Sequence, residues 1–329
     1  MIVPDLLEKQ IVLIDIGAVG KPPSHWLPLK DEIHLVGFEP NKDECKKLNE
    51  SGCGYSKSEF LPYAIGERDE KKLFYITEYH ECSSLLKPNF NWLKRFDYGS
   101  FFNVNQTIEV ETFSLDSIEK VSELGVDALK IDAQGNELPI LRGAESVLKE
   151  VFLIEIESGL HKNYENETTF DELCPFLNQK GFICMEVFTQ PAQKRKNIAQ
   201  QWNSAKGQCM ACESIWIRDL IKCENEFLRS IDKSNFLSIV SLCWLFEYSD
   251  YAIELIGHEI LGDLLDKQEK AALANEEAWI KPVTKENSIN TLTQFIGWLS
   301  QLLPTPARRN LYTHLPEIAE KPNILKKFK

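Results

Sequence analysis

Short, nearly unbroken apolar runs dominate the first two-thirds of this chain, at residues 11–16, 33–38, 127–132, 151–157 and 182–188. Runs of this length without strict alternation predict strands buried on both faces of a parallel sheet. Residues 58–65 read as a further strand and 208–217 as the last. Residues 72–77 and 106–113 alternate apolar with polar positions, which predicts an added strand pair. Residues 41–50 predict a helix with Asn41 as its N-cap and Asp43 and Glu44 in its first turn. Two more helices are predicted over 137–149 and 168–179, the second stopped by Gly181. Asp116-Ser-Ile-Glu119 has the form of a capping box that opens a short helix. Strands alternating with helices in this way imply right-handed crossovers and an open sheet.

The pattern changes after residue 220. Residues 221–279 keep helical periodicity with little turn punctuation, Lys281 to Ser288 reads as a linker, and 289–303 as another helix closed by Pro304 and Pro306. The stretch from Phe236 to Phe246 is broken by Ser238 and Ser241 and is too short to span a bilayer, so it reads as a buried helix. The expected organisation is a domain over residues 1–220 and a helical C-terminal extension over 221–329. That extension caps the site, pairs two subunits or docks a partner, because apolar helices need a surface to bury against.

Composition narrows the function. A formal charge of −13 argues against a general nucleic-acid binder, which needs a basic stripe to displace counterions. The basic loop Lys194-Arg195-Lys196 leaves an anionic acceptor open. The N-terminus lacks a charged segment leading into an apolar core, so no signal peptide is expected. Nine scattered cysteines fit a reduced, cytoplasmic protein. Cys209-Met-Ala-Cys212 falls in a strand-like run, where positions three apart face opposite sides, and no second CxxC or nearby His completes a metal site.

Three predicted strands end in a carboxylate: Asp15, Glu39 and Asp132. Ligands of open α/β sheets bind outside the carboxyl ends of the strands, where the strand order reverses. Asp15-Ile-Gly17-Ala-Val-Gly20 has two glycines rather than the three of a dinucleotide fingerprint, and an acid where a pyrophosphate would sit. That acid repels a pyrophosphate and attracts an ammonium or sulfonium. Glu39, 24 residues after Asp15, holds the place of an acid that accepts hydrogen bonds from ribose hydroxyls. S-adenosylmethionine has this charge pattern: ribose, adenine, an amino group, a sulfonium and no phosphate.

Asp15-x-Gly-Ala-x-Gly20, Phe38-Glu-Pro40, Ala64-Ile-Gly66, Leu115-Asp116, Lys130-Ile-Asp-x-Gln-Gly-x-Glu137, Leu141-Arg-Gly-Ala144 and Glu155-x-Glu157 together resemble the FkbM-type methyltransferase family, over about residues 11–220. The resemblance implies an α/β, Rossmann-like class I methyltransferase fold, with a mostly parallel seven-stranded sheet, helices on both faces and an antiparallel last strand. It also implies an S-adenosylmethionine-dependent O-methyltransferase of sugars, glycans or natural products. The segment Lys21-Pro22-Pro23-Ser-His25-Trp26-Leu-Pro28 departs from the simple helix that many members place after the glycine motif. A nicotinamide-dependent oxidoreductase and an inactive cofactor-binding or assembly protein are the alternatives.

Site residues follow. Asp15, Gly17, Ala18 and Gly20 are expected around the methionine end of the cofactor, Glu39 at the ribose, and Ala64 and Ile65 along the adenine. Asp132 holds the amino group or orients the acceptor hydroxyl. Glu137 either takes part in catalysis or stabilises a helix N-terminus through the macrodipole. Glu157 and His161 form an acid–histidine pair suited to a general base, the plain alternative being a solvated loop histidine. Lys130 is expected to form a structural ion pair with Asp132 or Glu155, and Ser83 and Ser84 to line the acceptor side. No metal site is expected. The partners expected are a small-molecule or sugar acceptor and a second subunit met through the C-terminal helices, with no nucleic acid and no membrane span.

Overall fold

The computed structural model describes residues 3–18, 24–51, 53–196 and 205–280. Its strands are β1 (Ile11–Ile16), β2 (Ile33–Phe38), β3 (Lys57–Leu61), β4 (Ala64–Ile65), β5 (Glu70–Thr77), β6 (Val104–Phe113), β7 (Ala128–Ile131), β8 (Leu153–Gly159), β9 (Phe182–Thr189) and β10 (Ala211–Arg218). Its α-helices are α1 (Lys42–Ser51), α2 (Phe90–Leu93), α3 (Glu119–Leu124), α4 (Glu137–Arg142), α5 (Phe170–Gln179), α6 (Asn225–Ser230), α7 (Lys233–Leu245), α8 (Ser249–Gly257), α9 (Glu259–Gly262) and α10 (Lys267–Leu273).

Seven strands form one sheet in the order β3-β2-β1-β7-β8-β10-β9. β3, β2, β1, β7 and β8 pair in parallel, and β10 runs antiparallel to both β8 and β9. This is the class I methyltransferase arrangement, and the expected fold class is the one observed. The order reverses between β1 and β7, so a crevice opens at their carboxyl ends. A second sheet, β4-β6-β5, stands beside it.

Alternate residues of each central strand enter different cores. Ile11 and Leu13 of β1 and Ile33 and Leu35 of β2 join Trp26, α1 and the helices after residue 230. Val12, Ile14 and Ile16 of β1 and Val36 and Phe38 of β2 join α3, α4 and α5. The helix α7 buries ten of its thirteen residues, which explains its apolar character all round. Among the described residues no helix is long and apolar enough to cross a membrane.

Several local expectations change in the folded chain. The stretch 58–65 splits: Pro62 lacks an N–H, the chain turns at Tyr63, and Ala64 and Ile65 leave for the second sheet. The 137–149 helix stops at Arg142, and a 3-10 turn follows at Val147–Lys149. Gly143 lies against the Gly66 carbonyl, where an added Cβ would sit 2.3 Å from the oxygen, so the chain bends to let the second sheet approach. The Asp116 capping box does not form. Ile118 is the N-cap of α3, and the Asp116 carboxylate accepts instead from the backbone N–H groups of Ser146 and Val147. The last strand starts at Ala211, leaving Cys209 ahead of it. Residues 221–279 form several short helices rather than long ones. The 289–303 helix lies outside the described residues. By contrast, Asn41 Oδ1 does accept from the N–H groups of Asp43 and Glu44.

Replacing Gly143 with alanine pushes a methyl group into a backbone carbonyl, an overpacking strain of about 1–3 kcal/mol. The variant should melt several degrees lower while keeping its far-ultraviolet circular dichroism. An unchanged melting temperature would show that the contact between α4 and the second sheet yields freely.

Candidate active site

The carboxyl ends of β1, β2 and β7 open onto a cavity of about 440 Å³. Gly17 leaves β1 at φ 81, a conformation that favours glycine. A Cβ there would lie 1.9 Å from the Asp132 carbonyl oxygen. Two strand ends therefore meet with no room for a side chain. The Asp132 N–H donates to the Ile16 carbonyl at 2.9 Å, and the Gly17 N–H to the Phe38 carbonyl at 3.1 Å. These bonds tie the ends of all three strands together.

Asp15, Glu39, Glu44, Glu81, Asp132 and Glu157 all line the cavity. Lys130 and His80 are the basic residues among its described lining. Lys130 corrects the expected pairing. It lies beside Asp15 in the register of β1 with β7, and its Nζ is 3.1 Å from Asp15 Oδ1. Burial opposes the Lys130 charge, but Asp15, Asp132 and Glu155 outweigh it and hold its pKa above the ordinary value. Glu155 is engaged elsewhere. Its Oε2 accepts from the Trp26 indole at 2.5 Å and lies 3.0 Å from His25 Nε2. Burial works against the Glu155 charge, yet its hydrogen bonds and cationic neighbours hold its pKa down to about 2. Its other oxygen is buried and has no donor but the Glu213 carboxyl, which is pushed up to about 8 first by hydrogen bonding to Glu155 and then by burial.

Two cavity carboxyls are poorly compensated. Burial pushes Glu39 up to about 7, although its Oε1 accepts from the Asn41 N–H at 2.6 Å. Burial, followed by the nearby Asp132, pushes Glu157 up to about 8. A cation placed here relieves both. The pyrophosphate of a dinucleotide would add to the repulsion, since Lys130 is already committed to Asp15.

Of the residues named from sequence, Asp15, Gly17, Ala18, Glu39, Ala64, Ile65, Asp132 and Glu157 come together in this cavity. Gly20 lies outside the described residues. Glu137 does not line it. That residue sits behind the turn, fully buried, where its Oε1 accepts from the N–H groups of Gly135 at 2.8 Å and Ala133 at 3.2 Å. His161 also stands away from it, with its ring 5.1 Å from that of Trp92 and its Nε2 hydrogen-bonded to the Gln208 amide. Ser83 lines the cavity, whereas the Ser84 hydroxyl donates to the Gln134 carbonyl at 2.7 Å. Sequence reading missed Tyr79, Tyr98, Phe102, Asn163, Gln190 and Gln193, which also line the cavity. The Tyr98 hydroxyl donates to Asn163 Oδ1 at 2.9 Å. These residues come from loops and, for Tyr98 and Phe102, a short 3-10 helix over Asp97–Phe102, without the periodicity that marks long elements, and their aromatic and amide content is the signal that was available. Among the described residues no group of three His, Cys, Asp or Glu side chains is placed to hold a metal ion.

Residues 22–184 match the family model described as the methyltransferase FkbM domain. No curated protein matches the chain. Among solved structures, the chain is similar to a methyltransferase FkbM from Methylobacillus flagellatus, at 12% identity over 65% of this chain and a TM-score of 0.33. The match spans 45% of that protein's length. It is also similar to a magnesium protoporphyrin IX methyltransferase from Synechocystis with bound S-adenosylmethionine, at 7% identity, 66% of this chain, 74% of that one and a TM-score of 0.33. An rRNA methylase from Streptococcus thermophilus matches at 8% identity over 66% of this chain and 91% of its own, with a TM-score of 0.32.

The raised carboxyls have a consequence for stability. A carboxyl with a higher pKa folded than unfolded binds more protons when folded, so its ionisation above the folded value destabilises the native state. For Glu39, moving from 4.5 to about 7 corresponds to a cost on the order of 3 kcal/mol, fully developed above pH 7. Glu155, held low, acts in the opposite sense and only below pH 4.5. The ligand-free chain should therefore melt higher at pH 6 than at pH 8.5, and Glu39→Gln should shrink that difference. Equal slopes in the two proteins would contradict a buried, uncompensated Glu39.

Proposed function

The chain belongs to the FkbM methyltransferase family, and from that premise we propose that it transfers a methyl group from S-adenosylmethionine to a hydroxyl of a sugar, glycan or related natural-product acceptor. The observation that carries this reading is the cavity itself: carboxylates at three adjacent strand ends, a glycine that lets backbone approach closely, and no uncommitted lysine or arginine in the described lining. That set fits S-adenosylmethionine, its cofactor, and opposes a nicotinamide dinucleotide. Glu39 would hold the ribose hydroxyls, and Ala64, Ile65 and Tyr63 would wall the adenine. Asp132 would face the amino group, with Gly17 and Ala18 beneath the methionine portion.

The cofactor supplies an electrophilic methyl carbon on a sulfonium. As the acceptor oxygen bonds that carbon, the sulfur–carbon bond breaks, S-adenosylhomocysteine leaves, and the hydroxyl proton passes to a base. Glu157 is our choice of base. It lines the cavity beside Asp132, and its raised pKa gives its ionised form more proton affinity than an ordinary carboxylate has. Most of the acceleration comes from alignment, which supplies about 7–11 kcal/mol in well-oriented intramolecular models. Tyr79, Tyr98 and Phe102 offer flat apolar faces, and Asn163, Gln190 and Gln193 offer amides, a wall suited to a polyhydroxylated ring. The cavity carboxylates also disfavour a phosphate-rich nucleic acid. The helices after residue 220 would brace the 3-10 turn Ser24–Leu29, since Phe246 packs edge-on against Trp26 at 5.1 Å and against His25 at 5.6 Å.

Isothermal titration tests the reading. S-adenosylmethionine should bind the wild type, and Glu39→Ala should weaken binding at least tenfold, about 1.4 kcal/mol. Incubation with labelled cofactor and a panel of sugars and glycosides should then yield a methylated product that Glu157→Gln forms much more slowly. Absence of cofactor binding, or tight binding of a nicotinamide dinucleotide instead, would overturn it.

A further inference from the structure

Gln134 stands at φ 52, in the left-handed region, although it is not a glycine. Such residues persist where surrounding contacts over-determine them, and they cluster at functional sites. Here the contacts are on every side. The Ser84 hydroxyl donates to the Gln134 carbonyl at 2.7 Å. The side-chain Nε2 donates to Asp132 Oδ1 at 2.7 Å, and the same amide lies near enough to Glu157 to favour its charged form. Gln134 Oε1 lies 3.0 Å from the hydroxyl of Tyr164, whose single proton is shared with the Cys82 carbonyl at 2.8 Å. Tyr164 is itself buried, and its N–H is fixed by Glu167 Oε2 at 2.8 Å.

We propose that Gln134 is a positioning residue whose amide bridges Asp132 and Glu157 and sets the geometry of the two carboxyls that meet the cofactor's positive end and the acceptor hydroxyl. The proposal rests on the methyltransferase reading above. A primary amide suits the place for a chemical reason. It has two N–H donors, enough for both acids, and no charge. A lysine would cancel the field that attracts a sulfonium, and a glutamate would add a third carboxylate to a crowded pair. The strained backbone carries the side chain back over the acid two residues earlier, which the Tyr164 hydroxyl then locks. The groups around Glu157 are Lys130 of β7 and Asp132 just beyond that strand, Glu213 opposite it on β10, Cys212 on the same strand as Glu213, Cys82, and the amides of Gln134 and Gln190.

The experiment is a titration of S-adenosylmethionine and S-adenosylhomocysteine into wild type, Gln134→Gly and Gln134→Glu from pH 6 to 9, with a melting curve at each pH. Wild-type affinity for the sulfonium should rise with pH as Glu157 ionises. Gln134→Gly relieves the positive φ, so it should melt at least as high as the wild type. It also removes both N–H donors, so the midpoint of the affinity rise should move up by about half a pH unit or more. Gln134→Glu keeps the shape, adds a carboxylate and should move the midpoint further. Folded variants whose midpoints coincide with the wild type would overturn the bridging role while leaving cofactor binding intact. Absence of binding to the wild type itself would overturn the cofactor reading, and the bridging role with it.

Discussion

The constraint on which the site depends is the space at Gly17, where an added Cβ would fall 1.9 Å from the Asp132 carbonyl oxygen. β1 and β7 are neighbours at the point where the strand order reverses, and their carboxyl ends approach until no Cβ fits between them. A residue other than glycine at 17 would have to displace β7 or abandon a left-handed turn, and either movement opens the floor of the cavity. The Gly17 and Asp132 N–H groups complete the joint by bonding to β2 and β1. The floor of the cavity therefore depends on backbone packing first and on side chains second.

Charge is the second constraint. Six acids are among the described lining of the cavity, and the one lysine there is bound to one of them. The Asp15–Lys130 pair is buried, so removing either partner alone would strand a charge, typically at 3–5 kcal/mol. That pair is the structural base of the site. Glu39 and Glu157 are held toward their neutral forms by burial, and a cationic ligand would draw both toward ionisation. On the proposed reading, such a site would attract a sulfonium before chemistry begins and release the product more readily once the sulfur is neutral.

Much of this was legible from local pattern. An acid at the end of an unbroken apolar run places a carboxylate at a sheet edge whichever strands are neighbours, so Asp15, Glu39 and Asp132 could be read directly. Lys130 could not be assigned its partner in that way. Both Asp15 and Glu155 are level with it on adjacent strands, and the choice depends on Trp26 and His25 having already claimed Glu155. Glu137 satisfies the turn from behind rather than facing the cavity, a distinction that requires the turn geometry. His161 is drawn aside by Trp92 and Gln208, residues remote in sequence. The aromatic and amide lining comes from loops and a short 3-10 helix, where side-chain direction follows from tertiary contacts rather than from a repeating pattern.

The most direct test of this account is a crystal structure of the chain with S-adenosylhomocysteine. The account predicts ribose hydroxyls on the Glu39 carboxylate, the amino acid end over Gly17, and the sulfur turned toward Asp132 and Glu157. Clear density for the ligand in another cavity, or with its ribose away from Glu39, would contradict it.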